Sequence, residues 1–230
     1  EPRVESRFDN RSEALINLPE GAKASIATTD SYKIEGNKLL HDKTTAVQRG
    51  TLTITDGKYT IEASLFATPK LLANGSGLKN DPWIINNAAD WNTLAIYSEE
   101  NHAPFFGEYF ALGADIDFAD EGLVVWCGDD QTYFEGSLDG RKHTIKNASF
   151  QSTDNKAGSG KGLFGYVGAN AEIFDFTVDK SCSIDGYQRV GMIAGISSGK
   201  IHDIVNYGNV TANSMTAVGG IVGYGEEGAH

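Results

Sequence analysis

Leu163-Phe164-Gly165 and, a few residues on, Glu172-Ile173-Phe174 are the runs on which the fold of this chain turns. Triplets of the same shape stand at Phe105-Phe106-Gly107, Phe134-Glu135-Gly136, Ile193-Ala194-Gly195 and Ile221-Val222-Gly223, and the five glycines are 29, 29, 30 and 28 residues apart. Isoleucine keeps the same beat: Ile116, Ile145, Ile173 and Ile201 are separated by 29, 28 and 28 residues, each in a short β-prone run such as Thr144-Ile145-Lys146. A period in this range means stacked units, none of which can bury its apolar face alone. Propeller blades need periods of about 40 or more, so the repeat predicts a parallel β-helix of roughly four or five coils. Phe105, Phe134, Leu163, Ile193 and Ile221 are expected to point inward, with Ile145, Ile173 and Ile201 directly above one another at strand spacing. Each triplet glycine is expected at a corner that needs positive φ or close backbone approach.

Upstream of the repeat, Asn87 can cap a helix over residues 88–99, in which Trp91, Leu94 and Ala95 share one face. Such a helix is placed to cover the open apolar end of the strand stack and its unpaired backbone groups. Asn74-Gly75-Ser76-Gly77 marks a boundary, because small polar residues and glycine turn sharply at little cost. Residues 1–72 lack the repeat and read as short strands around Leu15-Ile16-Asn17-Leu18, Ser25-Ile26-Ala27, Tyr32-Lys33-Ile34, Thr51-Leu52-Thr53-Ile54 and Tyr59-Thr60-Ile61-Glu62-Ala63. The last two flank Thr55-Asp56-Gly57-Lys58, and an Asp-Gly pair between alternating strands is a strong hairpin signal. The expectation is an all-β chain: a small β-sandwich over 1–72, with a frayed first dozen residues, then a parallel β-helix over 73–230.

A formal net charge of −12 opposes binding to phosphate backbones and anionic membranes, so nucleic acid is excluded as an expected partner. No apolar run approaches the roughly 18 residues of a membrane span. The start, Glu1-Pro2-Arg3-Val4-Glu5, lacks the apolar core of a signal peptide, so any export signal is expected to have been removed or never included. Cys127 and Cys182 are the two cysteines. Two coils of separation, about 9.6 Å at strand spacing, exceed the roughly 7 Å reach of a bridge, so both are expected as buried thiols.

Gly75-Ser76-Gly77-Leu78-Lys79-Asn80-Asp81-Pro82-Trp83-Ile84-Ile85, Tyr109-Phe110-Ala111-Leu112-Gly113-Ala114-Asp115-Ile116-Asp117-Phe118 and Phe134-Glu135-Gly136-Ser137-Leu138-Asp139-Gly140-Arg141-Lys142-His143-Thr144-Ile145 together resemble the opening of GLUG-repeat proteins. Gly162-Leu163-Phe164-Gly165 matches that family's signature and Gly220-Ile221-Val222-Gly223 keeps both of its glycines, while Met192-Ile193-Ala194-Gly195 has lost the first. The resemblance covers residues 75–230 and implies a right-handed parallel β-helix in bacterial surface or secreted proteins described as adhesin-like; similar repeats accompany IgA-protease-type enzymes. The first 70 residues resemble a reduced bacterial immunoglobulin-like module. By that pattern the chain is expected to end in mid-coil at Gly223-Tyr224-Gly225-Glu226-Glu227-Gly228-Ala229-His230, as a fragment whose partners include further domains of the same polypeptide.

The polar columns carry the residue types that chemistry would need. Asn147, Asp175 and Asp203 each stand two residues after an isoleucine; carboxylates on adjacent coils, about 4.8 Å apart, could share a proton as a general acid and base. The alternative is a turn ladder bonding to backbone. Asp139-Gly140-Arg141-Lys142-His143 could orient a uronic acid or make a tight turn. Asp115, Asp117, Asp120, Glu121, Asp129 and Asp130 offer oxygens without a calcium-loop spacing. His102, His143 and His202 lack metal-ligand spacing, and Gly158-Ser159-Gly160-Lys161-Gly162 is a turn that misses the phosphate-loop pattern. No catalytic residue, metal or cofactor is therefore assigned. Exposed aromatics remain, and Tyr133, Tyr187, Tyr207 and Tyr224 are the expected contacts for a glycan or a host surface protein. The expected function is a non-catalytic adhesin-like display surface; the alternatives are a polysaccharide-active enzyme and an accessory region of a surface protease.

Overall fold

Two units divide the chain, Glu1–Leu71 and Leu72–His230. The computed structural model describes residues 13–15, 18, 21–27, 32–36, 38–41, 48–67, 71–128, 132–152, 160–213 and 217–227. The first unit holds β1 (Glu13–Leu15), β2 (Lys23–Ala27), β3 (Tyr32–Glu35), β4 (Lys38–His41), β5 (Gln48–Thr55) and β6 (Thr60–Ala67). They form two three-stranded antiparallel sheets, in the orders β1-β4-β3 and β2-β5-β6. Leu39 from one sheet and Leu52 and Ile54 from the other make one core, with Ala24, Ile26 and Ile34 packed against it. Alternation in Thr51-Leu52-Thr53-Ile54 puts both apolar residues on that inner face. The Asp56-Gly57 turn closes as its sequence predicts: Gly57 has φ 88°, and Asp56 Oδ1 accepts from the N–H groups of Lys58 and Tyr59 at 2.8 and 2.7 Å. Beyond the expected strands the first sheet contains β4, which returns from β3 through a tight turn at Gly36, φ 63°. Residues 1–12, and Ile16 and Asn17 of an expected strand, lie outside the described residues.

The second unit is a β-solenoid of about five turns over residues 83–225. It opens with β7 (Trp83–Ile85), α1 (Ala88–Asn101), β8 (Tyr109–Leu112) and β9 (Ile116–Asp117). The next coil carries β10 (Ser137–Asp139), β11 (Thr144–Lys146), β12 (Ser149–Gln151) and β13 (Phe164–Val167). A further coil carries β14 (Glu172–Val178), β15 (Ser183–Gly186), β16 (Val190–Gly191) and β17 (Ala194–Ser197). The last carries β18 (Lys200–Asn206), β19 (Asn209–Ala212), β20 (Val218–Gly219) and β21 (Val222–Gly225). Every pairing among these strands is parallel, and the faces stack as β12-β15-β19, β13-β17-β21, β16-β20 and a larger sheet built on β14.

Helix α1 closes the β7 end. Asn87 Oδ1 accepts from the N–H of Asp90 at 2.8 Å, and His102, φ 49°, ends the helix with its N–H on the carbonyls of Glu99 and Ser98. Trp91 is fully buried and meets Phe118, Trp126 and Phe164 at ring-centroid distances of 6.0, 5.2 and 5.5 Å. Its Nε1 donates to the carbonyl of Val124. Asn92 satisfies two backbone groups of the adjacent coil, the carbonyl of Gly122 and the N–H of Val124, at 2.9 and 3.0 Å. The cap thus removes both an apolar opening and unpaired backbone groups.

The isoleucine column is corrected by the register. Ile145 pairs with Ile116 below and with Val178 above, whereas Ile173 pairs with Leu138 below and Ile201 above. Ile145 and Ile173 therefore do not stack, although 28 residues separate them. The cause is coil length. The coil from Leu138 to Ile173 is 35 residues, against 28 from Ile173 to Ile201. Part of the excess is the bulge Arg141-Lys142, both at positive φ, between β10 and β11. More lies between Phe150 and Phe164, where 14 residues do what 10 do between Ile184 and Ala194.

The glycine column is corrected in part. Pairing of Phe164 with Ala194 and Val222 sets Gly165, Gly195 and Gly223 side by side, but Gly136 precedes β10 on another face and Gly107 is elsewhere. Only Gly107 of the five has positive φ. The other need is close approach: a Cβ on Gly165 would fall on the carbonyl of Cys127, and one on Gly195 on the backbone of Gly160 and Lys161. The same ladder stacks Leu163, Ile193 and Ile221; Phe134 pairs instead with Val167 at the other end of β13, and Phe105 is buried against Phe110 and Trp126.

Candidate binding surface

Positions of the β14 sheet bring an aromatic ring, an imidazole and carboxylates together across coils. Phe174 on β14 and His202 on β18 are register partners, and their rings stack at 5.2 Å and 6°. His202 Nδ1 lies 2.8 Å from Asp203 Oδ2, and Nε2 lies 3.3 Å from Glu172 Oε1 on the neighbouring coil. Asp203 beside the ring, and then Glu172, hold the His202 pKa above its ordinary value. The imidazolium is favoured by the fold, so its contribution to stability is complete below about pH 6.5 and is lost as pH rises through the raised value. An NMR titration is expected to place the His202 midpoint above that of an unstructured histidine, and Asp203→Asn to move it back down.

Asp175 and Asp203 do lie side by side, between the pairs Phe174 with His202 and Phe176 with Ile204. Both are left-handed, φ 62° and 53°, a conformation that Asn and Asp adopt more readily than other side chains. Asn147, expected in the same column, is not there. It also has positive φ, 55°, but its Nδ2 donates to Asp117 Oδ1 at 2.7 Å and its N–H to Ser181 Oγ at 2.9 Å. It belongs to a different ladder, between Asp117 and Ser181, because the longer coil offsets it from Asp175. The position facing Asp175 belongs to the Gly140 to Lys142 bulge, where the N–H of Lys142 donates to the Asp175 carbonyl at 2.7 Å.

Asp115 is held across coils. It accepts from Lys146 Nζ at 2.8 Å and from the N–H of Thr144 at 2.9 Å, with His143 Nδ1 at 3.4 Å. Lys146 first, and then the Thr144 N–H, hold its carboxyl below the ordinary range. Its stabilising effect is present above the ordinary carboxylate pKa and is lost as pH falls through the lowered value. Asp117 is likewise lowered, by the Asn147 amide and then the N–H of Ala119. These carboxylates are spent on joining coils. Asp129, Asp130, Gly158 and Ser159 lie outside the described residues. Lys161, from the same glycine-rich stretch, sits at a coil corner paired with Val190, its Nζ 5.6 Å from the Phe150 ring.

The four tyrosines fall in four places. Tyr133 is half-buried against Tyr166, centroids 5.1 Å apart. Tyr187 follows β15, Tyr207 follows β18, and Tyr224 lies in β21 with the Arg189 guanidinium 5.1 Å from its ring. Exposure separates them: Tyr207 is 66% exposed, Tyr224 45% and Tyr187 37%. Tyr207 and Tyr224 belong to the last coil, and no described residue from 200 to 227 is buried. Phe174 and His202, an aromatic face beside carboxylates, were not singled out as a pair by the sequence because cross-coil register was needed to bring them together.

Cys127 and Cys182 are both free and buried. Cys127 Sγ lies 3.2 Å from Ser98 Oγ on α1. Cys182 Sγ donates to the carbonyl of Ile145 at 3.4 Å, and burial pushes its pKa up. Both thiols are expected to resist an aromatic disulfide reagent in the folded protein and to react at once when guanidinium unfolds it.

No family model matches the chain, and no solved structure matches it. It is similar to Halomucin of Haloquadratum walsbyi, 30% identical over 224 residues, which takes in 91% of this chain and 2% of that protein. It is also similar to a Gly-rich membrane protein of Evansella cellulosilytica, 30% identical over 145 residues, 60% of this chain and 16% of that protein. The chain thus spans a small part of the length of both curated relatives. Among the described residues no helix is long and apolar enough to cross a membrane.

Proposed function

We propose that this chain is a non-catalytic segment of a cell-surface or secreted protein, a GLUG-type β-solenoid that holds a binding face rigidly away from its anchor. The observation that carries this is the solenoid itself: stacked coils give an extended, stiff surface whose outward residues are free to vary. Support comes also from the relatives, one named as a membrane protein and one named Halomucin, each far longer than the part this chain matches. Intact cells producing the natural protein are expected to lose it to an external protease. Full protection, with loss only after lysis, contradicts surface display.

The ligand in this account is a glycan or a host surface protein, held by exposed aromatic rings with neighbouring carboxylates to orient hydroxyl groups. Tyr207 and Tyr187 are the candidate contacts, and the Phe174 and His202 stack is a third. A glycan and serum-protein array is expected to return a ligand whose affinity falls about tenfold, roughly 1.4 kcal/mol, in Tyr207→Ala. A blank array leaves the solenoid a spacer.

One observation favours a second function, a polysaccharide-active enzyme: Asp175 and Asp203 do stand on adjacent coils, with His202 and Glu172 beside them. Products from a panel of acidic and neutral polysaccharides, lost in Asp203→Asn, would establish it; no products with the unsubstituted protein dismiss it.

A further inference from the structure

Three asparagines among the described residues open an Asn-x-Ser/Thr triplet: Asn74-Gly75-Ser76, Asn147-Ala148-Ser149 and Asn209-Val210-Thr211. A fourth, Asn10-Arg11-Ser12, lies outside them. The triplet is the acceptor signature of N-linked glycosylation. Transfer to a folded chain needs more than the signature, because the amide must be free and the backbone must leave its own ladder to enter a transferase.

The structure separates the three. The Asn147 amide is occupied by Asp117 at 2.7 Å, and its N–H is held by Ser181 at 2.9 Å, so the residue is pinned to the coils below and above. Asn209 is exposed, but it begins β19 in register with Ser183, and its N–H donates to the Cys182 carbonyl at 2.9 Å. Asn74 is exposed in the bend that opens the second unit. Its carbonyl accepts from the N–H of Ile84 at 3.1 Å and the Ser76 N–H donates to the Asp81 carbonyl at 3.0 Å, two bonds that must open for transfer, but the triplet lies outside any strand and the Asn74 side chain is exposed. Gly75, φ 91°, turns the chain sharply after it. Ser76 is half-buried and its Oγ makes only a long contact, 3.3 Å, to the Asp81 carbonyl.

We propose that Asn74 is an N-glycan attachment site. Its carboxamide nitrogen bonds to the anomeric carbon of a saccharide carried on a polyprenyl diphosphate. The anomeric C–O bond breaks, the diphosphate leaves with the electron pair, and the amide proton passes to a carboxylate of the transferase. Use of the site in the cell rests on the surface location proposed above; its competence as an acceptor does not.

The test is to incubate the purified, folded chain with a single-subunit oligosaccharyltransferase of Asn-x-Ser/Thr specificity and its polyprenyl-diphosphate oligosaccharide, then to map peptides by mass spectrometry. The peptide from Leu71 to Lys79 is expected to gain the mass of one oligosaccharide, Asn147 to stay unmodified, and Asn74→Gln to abolish the gain on the first peptide. An unmodified Asn74, whether or not the unfolded chain is modified there, or preferential transfer to Asn147 or Asn209, overturns the assignment. Protease treatment of intact cells reads the location separately.

Discussion

Gly195→Ala is expected to destabilise the solenoid by about 3 kcal/mol or more, an effect at the overpacking limit for a single added methyl. Gly195 is not at positive φ, so the cost is not conformational. The new Cβ would fall on the backbone of Gly160 and Lys161, which has no side-chain freedom with which to retreat. That segment is itself held: the N–H of Lys161 donates to the Arg189 carbonyl, and the Lys161 carbonyl accepts from Gly191, both at 3.0 Å. Chain therefore lies across the β13-β17-β21 sheet too closely for any side chain at these positions. Gly220→Ala is the matched control, since nothing lies within 4 Å of a Cβ there; its effect is expected within about 0.5 kcal/mol. Denaturant unfolding of the two variants side by side measures both.

Trp91→Ala is expected to cost about 3–5 kcal/mol, the range for truncating a fully buried large aromatic. The loss compounds three contacts, since Trp91 meets Phe118, Trp126 and Phe164 edge-on and gives its indole N–H to Val124. Removal opens the capped end of the stack. Binding of an apolar dye should rise in the same variant, whereas Tyr207→Ala, which removes an exposed ring, should change neither stability nor dye binding appreciably. Equal loss in the two variants would show that α1 is not a cap.

The repeat made the architecture legible because inward residues must recur once per coil, and a 28 to 30 residue beat has few other solutions. Helix α1 was legible too, through the Asn87 cap and the Trp91, Leu94 and Ala95 face. Register was not. Each coil of the larger face carries two apolar anchors, Leu138 and Ile145 on one, Ile173 and Val178 on the next. Reading one anchor from each coil gave a false column of equal steps, because a 35-residue coil was offset by changing anchor. The consequence reached the site: Asn147 was placed with Asp175, and the contact of Phe174 with His202 went unseen. Asp175 with Asp203 came out side by side because the coil between them has the expected 28 residues.

Cysteine pairing across β11 and β14 tests the stacking directly. Thr144 and Thr177 are register partners, and parallel neighbours about 4.8 Å apart lie within the range of about 4.4–6.8 Å that a disulfide accepts. Thr144→Cys with Thr177→Cys is expected to cross-link under mild oxidation. Thr144→Cys with Glu172→Cys, the pair that a uniform 28-residue step would place together, is expected to remain reduced. Cross-linking of the second pair and not the first contradicts the register on which the whole account of this solenoid rests.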